Sequence, residues 1–466
     1  MQGQNQKSKV LGIFSLSMLS VSAILNLRNI PFMASLGLKS IFFYCIAAVG
    51  FLIPSALICA QLAARFPFHG GIYAWVKLAF GERLGFLAIW MEWFNNVIGF
   101  PATLSTIVAT LAYVISPSLI ENKYVLFLVM MIVFWGCSLF NFLHIKTSIK
   151  ANVLGALFGT ILPGVLIIIL GLIWFFSGKI LNINWHTDSI IPSFHLSSWT
   201  FFVGTVSSFA GMQITAFHAE NVKSPQRTFP WAIFIASILI VFLSILATTS
   251  LAMVIPKSDL NIINGVIEGF SIFFNAFHLS FLIPILALCI TFGGIASLSA
   301  WMLGPARALQ VAAADGLLPK KLAYTNKNEM PTKILFGQGI IGSVLALVFL
   351  WMPSAESAFW LLVALTAQFT VLMFLLLFLA AIRLRFKKAE IKVSGFQLSK
   401  TITIFISLLG AFCCLIAFFV GLFPPDLKAK GLNKENYIIM MLMIDGVILA
   451  APFVIRSVWH RLSKSI

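Results

Sequence analysis

Charge is what this sequence has least of: 10% of its 466 residues are Asp, Glu, Lys or Arg, against 60% apolar side chains and a mean hydropathy of +1.01. No soluble globular domain is built from that balance, so a polytopic membrane protein is expected. Acids are scarcest, 14 against 31 Lys and Arg. Cysteine is also sparse. Cys45, Cys59, Cys137, Cys289, Cys413 and Cys414 all lie in apolar runs, with no metal-type spacing and no disulfide framework. There is no His and carboxylate cluster and no nucleophile motif, so an enzyme is not expected. The polar N-terminus runs straight into an apolar stretch without a small-residue cleavage site, so no removable signal peptide is expected either.

What is present is a series of twelve apolar stretches, each near the roughly 20 residues that cross a bilayer as helix. They are 10–36, 39–64, 85–115, 124–143, 151–177, 199–219, 229–255, 277–306, 334–352, 356–382, 401–423 and 437–456. An even number puts both termini on one side. Assigned to alternate loops, 23 Lys and Arg fall on the side of the termini and 7 on the other, with Arg28 alone inside a span. The positive-inside rule makes the termini cytoplasmic. The net charge of +17 is thus an orientation signal, and nucleic-acid binding is not expected.

Two stretches are interrupted. The first carries Asn26, Arg28 and Asn29 with Pro31 close behind, three polar side chains and a missing N–H where lipid tolerates them least. The sixth crowds Gly204, Thr205, Ser207, Ser208, Gly211 and Gln213 into its centre. Close helix packing through small residues is one reading of it. The other is a matched break: first and sixth are where two five-helix units would carry corresponding breaks around a midplane site. The expected organisation is a cytoplasmic tail at 1–9, a five-helix unit at 10–177, an external loop at 178–198, a second five-helix unit at 199–382, a basic cytoplasmic loop at 383–400, two more helices at 401–456 and a cytoplasmic tail at 457–466.

Three motifs carry a resemblance. Gln61 to Gly81, with Pro67, Gly70, Gly71, Tyr73 and Trp75, resembles the signature loop of the amino acid, polyamine and organocation transporter superfamily. Glu220 to Arg227, and Arg307 with Ala314 to Pro319, are similar to its later loops. Tyr73 and Trp75 are suited to the membrane interface. Within the superfamily, Asn26 to Pro31, Trp90 to Asn96, Pro101 to Ser105 and Leu376 to Arg385 resemble the bacterial glutamate and γ-aminobutyrate antiporters. The resemblance implies an all-α membrane protein of 12 transmembrane helices: a 5+5 inverted repeat of the leucine-transporter type, with helices 1 and 6 broken and two extra C-terminal helices.

It further implies an amino-acid permease of the bacterial inner membrane, with an amino acid as ligand, no cofactor and room for a homodimer. An antiporter is the leading reading; a proton-coupled symporter and a non-transporting amino-acid sensor are its rivals. The chain departs from the family in having Asn26, Leu27 and Arg28 where a glycine-rich triplet is common, and Gln213 where a glutamate is. Ending at Ile466, it is not expected to carry a C-terminal plug.

Substrate contacts are therefore expected from Leu25, Asn26, Leu27, Arg28 and Asn29, from Phe209, Ala210, Gly211, Met212 and Gln213, and, by resemblance, from Trp301. Gating or coupling falls to Arg28, Glu92 and Trp301. Alternatives stay open. Arg28 suits a substrate carboxylate, or an ion pair with Glu92 or Asp445, the acids within other spans. Asp445 suits a structural or oligomer contact, Trp301 a lipid-facing position, and His218 an interfacial hydrogen bond or a titrating role. The fifth span has no ionisable residue between Lys150 and Lys179, which favours exchange. Sodium coupling would draw on Ser297 and Ser299.

Overall fold

The computed structural model describes residues 12–66, 71–116, 122–142, 154–155, 157–183, 189–192, 196–213, 222, 224–387, 396–423 and 434–464. The architecture is helical because hydrocarbon offers backbone N–H and C=O groups no partner, and a helix satisfies them within one segment. Among the described residues ten helices are long and apolar enough to cross a membrane. These are α3 (Lys39–Arg65), α5 (Glu82–Ile115), α6 (Lys123–Phe140), α7 (Leu157–Phe176), α9 (Pro225–Val254), α11 (Leu282–Ala314), α12 (Thr332–Trp351), α13 (Ala355–Phe386), α14 (Lys400–Gly421) and α15 (Lys434–Lys464).

The first and sixth apolar stretches are not among the ten, because both are interrupted. The first splits into α1 (Ile13–Ile24) and α2 (Asn29–Ala34). The sixth forms α8 (Leu196–Ser208), turns at 209–211 and resumes helix at 212–213, where the described segment ends. Two further helices lie in loops: α4 (Ile72–Phe80) and α10 (Gly265–Ala276). Neither emerges from hydropathy, since each is too short to cross a bilayer.

Helix α13 is the centre of the bundle, with 78% of its apolar window buried, against 22% for α15 at the rim. It packs on α5 and α14, while α5 also packs on α11 and both α1 and α2 lie on α9. Helices α7 and α11 touch through backbone. A Cβ on Gly159 would meet Cα of Gly293 at 2.2 Å. The rim helix is held by a side chain from α5. Pro452 has no N–H to give the Ile448 carbonyl one turn back, and the Trp90 indole donates to that oxygen at 3.0 Å. Arg456 pairs with Glu82 at 3.1 Å nearer the end of the same two helices.

The signature loop is not where the sequence puts it. Tyr73 and Trp75 are 2% and 1% exposed, so they lie inside the protein and not at a membrane interface. Trp75 donates its indole N–H to the Phe66 carbonyl at 3.0 Å, and the Tyr73 hydroxyl donates to Asp315. Pro67 to Gly70 lie outside the described residues. Lys77 reaches the same Asp315 oxygen at 2.6 Å, so α4 is strapped to the end of α11. Burial alone would raise the Asp315 carboxyl, but the hydrogen bonds from Lys77 and Tyr73 and the Lys77 charge outweigh it and hold it below the usual range.

A depressed folded value means stabilisation that is present above the ordinary aspartate range and lost as pH falls below it. Both side chains of the Lys77–Asp315 pair are about a third exposed, 32% and 36%. Solvent screening therefore limits the strap to about 1 kcal/mol or less. Asp315→Asn is expected to lower the thermal midpoint slightly at pH 7, and the difference from the parent protein should shrink progressively as pH falls below about 4.

Candidate functional site

Helix α1 ends because Leu25 leaves helical geometry, its N–H still bonded to the Val21 carbonyl at 2.7 Å. Asn26 then makes the turn: its Oδ1 accepts the Arg28 N–H at 3.0 Å, a local bond that competes with helix. The break covers 25–28. Asn29, expected within it, opens α2, where Pro31 sits in the first turn and forfeits no helical bond. Leu25 and Leu27 are 7% and 6% exposed and approach Gly164 of α7, so their side chains serve packing. Among the described residues the amide N–H groups of Asn26 and Leu27 donate to no backbone carbonyl.

Arg28 is the charged member of this break. Its Nη1 donates to the Thr103 hydroxyl of α5 at 2.5 Å, while its buried Nε has no partner. The second break turns on Gly211, whose φ of 142° disfavours any residue with a Cβ. The Gln213 carboxamide closes that turn. Its oxygen accepts the Gly211 N–H at 3.0 Å, and its side chain lies near the Glu92 carboxyl on α5. Phe209 is 1% exposed and sits 5.7 Å from the ring of Tyr44, whose hydroxyl pairs with Thr248 at 3.0 Å. Met212 and Gln213 are helical and buried, and Ala210 is half-buried.

The two interrupted helices touch. Phe32 of α2 stacks on Phe201 of α8 at 4.9 Å, and a Cβ on Gly204 of α8 would meet the Phe32 ring at 2.5 Å. Thr205 of α8 approaches the Met33 sulfur at 3.2 Å. Helix α5 serves both breaks, through Thr103 at the first and Glu92 at the second.

That spacing corrects one expectation. Eleven residues of helix separate Glu92 from Thr103, about 16 Å of rise, which is beyond the reach of an Arg28–Glu92 pair. The ion pairs among the described residues are Lys77–Asp315 and Arg456–Glu82, so Arg28 has neither Glu92 nor Asp445 as counter-charge there.

The remaining candidates divide. Trp301 is half-buried and packs on the main apolar core, but no described contact brings it to either break. Ser299 is spoken for: its hydroxyl donates to Asn141 at 2.7 Å, in a scaffold network where Asn141 faces the Met302 sulfur and Gln338 joins the Met302 carbonyl to Trp93. Asp445 is 3% exposed within the protomer, so an oligomer contact does not account for it. His218 lies outside the described residues.

Sequence reasoning missed Thr103, although Pro101 to Ser105 signalled it, and Tyr44, whose place beside the second break no local pattern announces. Because a residue with a Cβ is strained at this φ where glycine is not, Gly211→Ala is expected to cost about 1–3 kcal/mol. Solute exchange by that variant is expected to fall about tenfold, measured in proteoliposomes at matched protein content.

Comparison with known proteins adds identity to this geometry. Residues 11–447 match the family model described as amino acid permease. An uncharacterized transporter of Legionella pneumophila is 37% identical over 447 residues, 96% of each chain. The glutamate/gamma-aminobutyrate antiporter of Lactococcus lactis subsp. lactis is 30% identical over 462 residues, 97% of this chain and 90% of its own. The probable agmatine/putrescine antiporter of the same organism is 23% identical over 398 residues, 80% of this chain and 82% of its own. A chain matched end to end in this way, predominantly helical among its described residues, with its first and sixth apolar stretches broken, belongs to the amino acid permease family of the amino acid, polyamine and organocation superfamily, as its motifs foretold.

Proposed function

We propose that this permease is an amino-acid antiporter of the bacterial inner membrane that works by alternating access, exchanging glutamate, γ-aminobutyrate or closely related amino acids. It crosses the membrane twelve times with both termini in the cytoplasm. The units at 10–177 and 199–382 are inverted five-helix repeats, and the two helices at 401–456 lie outside them. The solute sits between the breaks at 25–28 and 209–213. One observation carries the reading: Arg28 stands in the first break with a buried, unpartnered Nε and no acidic partner among the described residues. A permanent cation so placed suits a carboxylate brought by the solute. The free N–H groups of Asn26 and Leu27 suit the same end of it. The antiporter name of the 30% identical relative agrees.

Purified protein in vesicles preloaded with glutamate should take up labelled glutamate or γ-aminobutyrate, and empty vesicles should not. Equal uptake by both, driven by a proton gradient, favours the second reading, a proton-coupled symporter. That reading has its own support in Glu92, which is 2% exposed with Oε2 unpartnered. Binding without flux would return the sensor.

A further inference from the structure

Arg28 is held at its root and at its tip, and the hold decides which edge of the guanidinium is free. At the root, the Asn26 Oδ1 accepts the Arg28 N–H at 3.0 Å, and the turn passes into α2 through the Asn29 N–H, which donates to the Asn26 carbonyl at 3.2 Å. At the tip, Nη1 donates to the Thr103 hydroxyl of α5 at 2.5 Å. That hydroxyl is itself fixed. It donates its own proton to the Gly99 carbonyl one turn back at 3.1 Å, so a lone pair is what it offers Arg28. The central helix α13 lies against this seat, since a Cβ on Gly99 would meet Cγ2 of Thr366 at 3.3 Å.

A guanidinium is a rigid planar fork that presents paired N–H groups to a carboxylate along its edges. One such edge uses both Nη atoms; the other uses Nε with Nη2. Thr103 occupies Nη1, on the far side of the plane from the second edge. Nε is buried and unpartnered, and among the described residues Nη2 makes no hydrogen bond. The free edge is therefore the one formed by Nε and Nη2. Arg28 as a whole is half-buried, so its surroundings are not packed shut. Donors stranded on a permanent cation are costly unless a ligand brings acceptors for them. A carboxylate brings two at the right spacing, and an amine brings none.

We propose that Thr103 is a positioning residue for the solute: by occupying Nη1 it holds the Arg28 guanidinium with its Nε and Nη2 edge free to clasp a carboxylate side-on. This rests on the reading of Arg28 as the partner of the solute carboxylate, and Thr103 acts through Arg28 rather than on the solute. Without the hydroxyl, Nη1 loses its acceptor and the fork is free to turn. The carboxylate then meets a mobile charge in place of a fixed pair of donors.

The test is exchange of labelled glutamate by the full-length protein in vesicles, with KM and maximal rate measured separately. Thr103→Val keeps the shape of the side chain and removes the acceptor. It should raise KM about tenfold, the scale of one hydrogen bond to a charged group, with the maximal rate within about twofold of the parent. Thr103→Ser returns the hydroxyl and should return KM. Thr106→Val deletes the next hydroxyl along α5, which donates to the Thr103 carbonyl at 2.8 Å, and should leave KM where it was. A parent-like KM in Thr103→Val overturns the proposal, as does a serine variant no better than the valine one or an equal rise in Thr106→Val. A fall in thermal midpoint and maximal rate with KM unchanged overturns it too, and makes Thr103 part of the scaffold. If the valine variant does not fold, Thr103→Ala carries the same expectation and the same refutation. A parent protein that neither exchanges nor binds glutamate is a different failure: it overturns the carboxylate reading of Arg28, and this proposal with it.

Discussion

Arg28→Ala is expected to abolish exchange, to about 100-fold or more below the parent rate, while leaving the fold intact. A charge-assisted contact to a carboxylate contributes about 1.5–3 kcal/mol, and its loss at a buried site sits at the upper end of that range. Stability should respond in the opposite sense to that of a structural ion pair. Removing one partner of a buried pair costs about 3–5 kcal/mol because a charge is stranded. Here the guanidinium has one described side-chain bond, to the neutral Thr103 hydroxyl, and its Nε is already stranded. Deleting it removes an uncompensated charge, so the thermal midpoint should hold or rise. Arg28→Lys keeps the charge without the planar fork and should recover only part of the rate. A variant that loses stability and retains exchange would return Arg28 to the status of scaffold.

The largest effect on folding is expected at Gly159. A Cβ there would meet Gly293 Cα at 2.2 Å, the Cys289 carbonyl oxygen at 2.5 Å and the Gly293 nitrogen at 2.6 Å. All are backbone atoms of α11, so no side chain can swing away and the two helices must part. Overpacking of this kind costs about 1–3 kcal/mol even where side chains give, and more where they cannot. Gly159→Val should therefore yield little monodisperse protein in detergent. Gly136 of α6 is the matched control, since a Cβ there meets nothing within 4 Å. Gly136→Val should purify like the parent; equal yields of the two variants would show that α7 and α11 are not locked by this contact.

What the sequence made legible follows from which forces act over short range. Hydropathy found the ten long helices because each is a local run of apolar residues, and it found the two breaks because Arg28 with Asn26 and Gly211 with Gln213 violate that run locally. Partners were a different matter. Arg28 and Thr103 are 75 positions apart, and nothing at either end of that interval specifies the other. Glu92 looked like the natural counter-charge by sign, but helix rise along α5 puts it a dozen or so ångströms too far, near Gln213 at the other break. Tyr73 and Trp75 read as interfacial from their amphipathic rings. They are buried because α4 folds back against α5 and α13, a packing decision that no local pattern encodes.

The central claim is that the two breaks line one solute site, and substrate protection tests it most directly. With the native cysteines replaced, a single cysteine is placed at Asn26 or at Gln213, and the rate of modification by a small thiol reagent is followed with and without saturating glutamate. Protection of both positions by glutamate, and of neither by a diamine, is the predicted result. Full exchange activity in these proteins with modification rates unchanged at both positions would contradict the site.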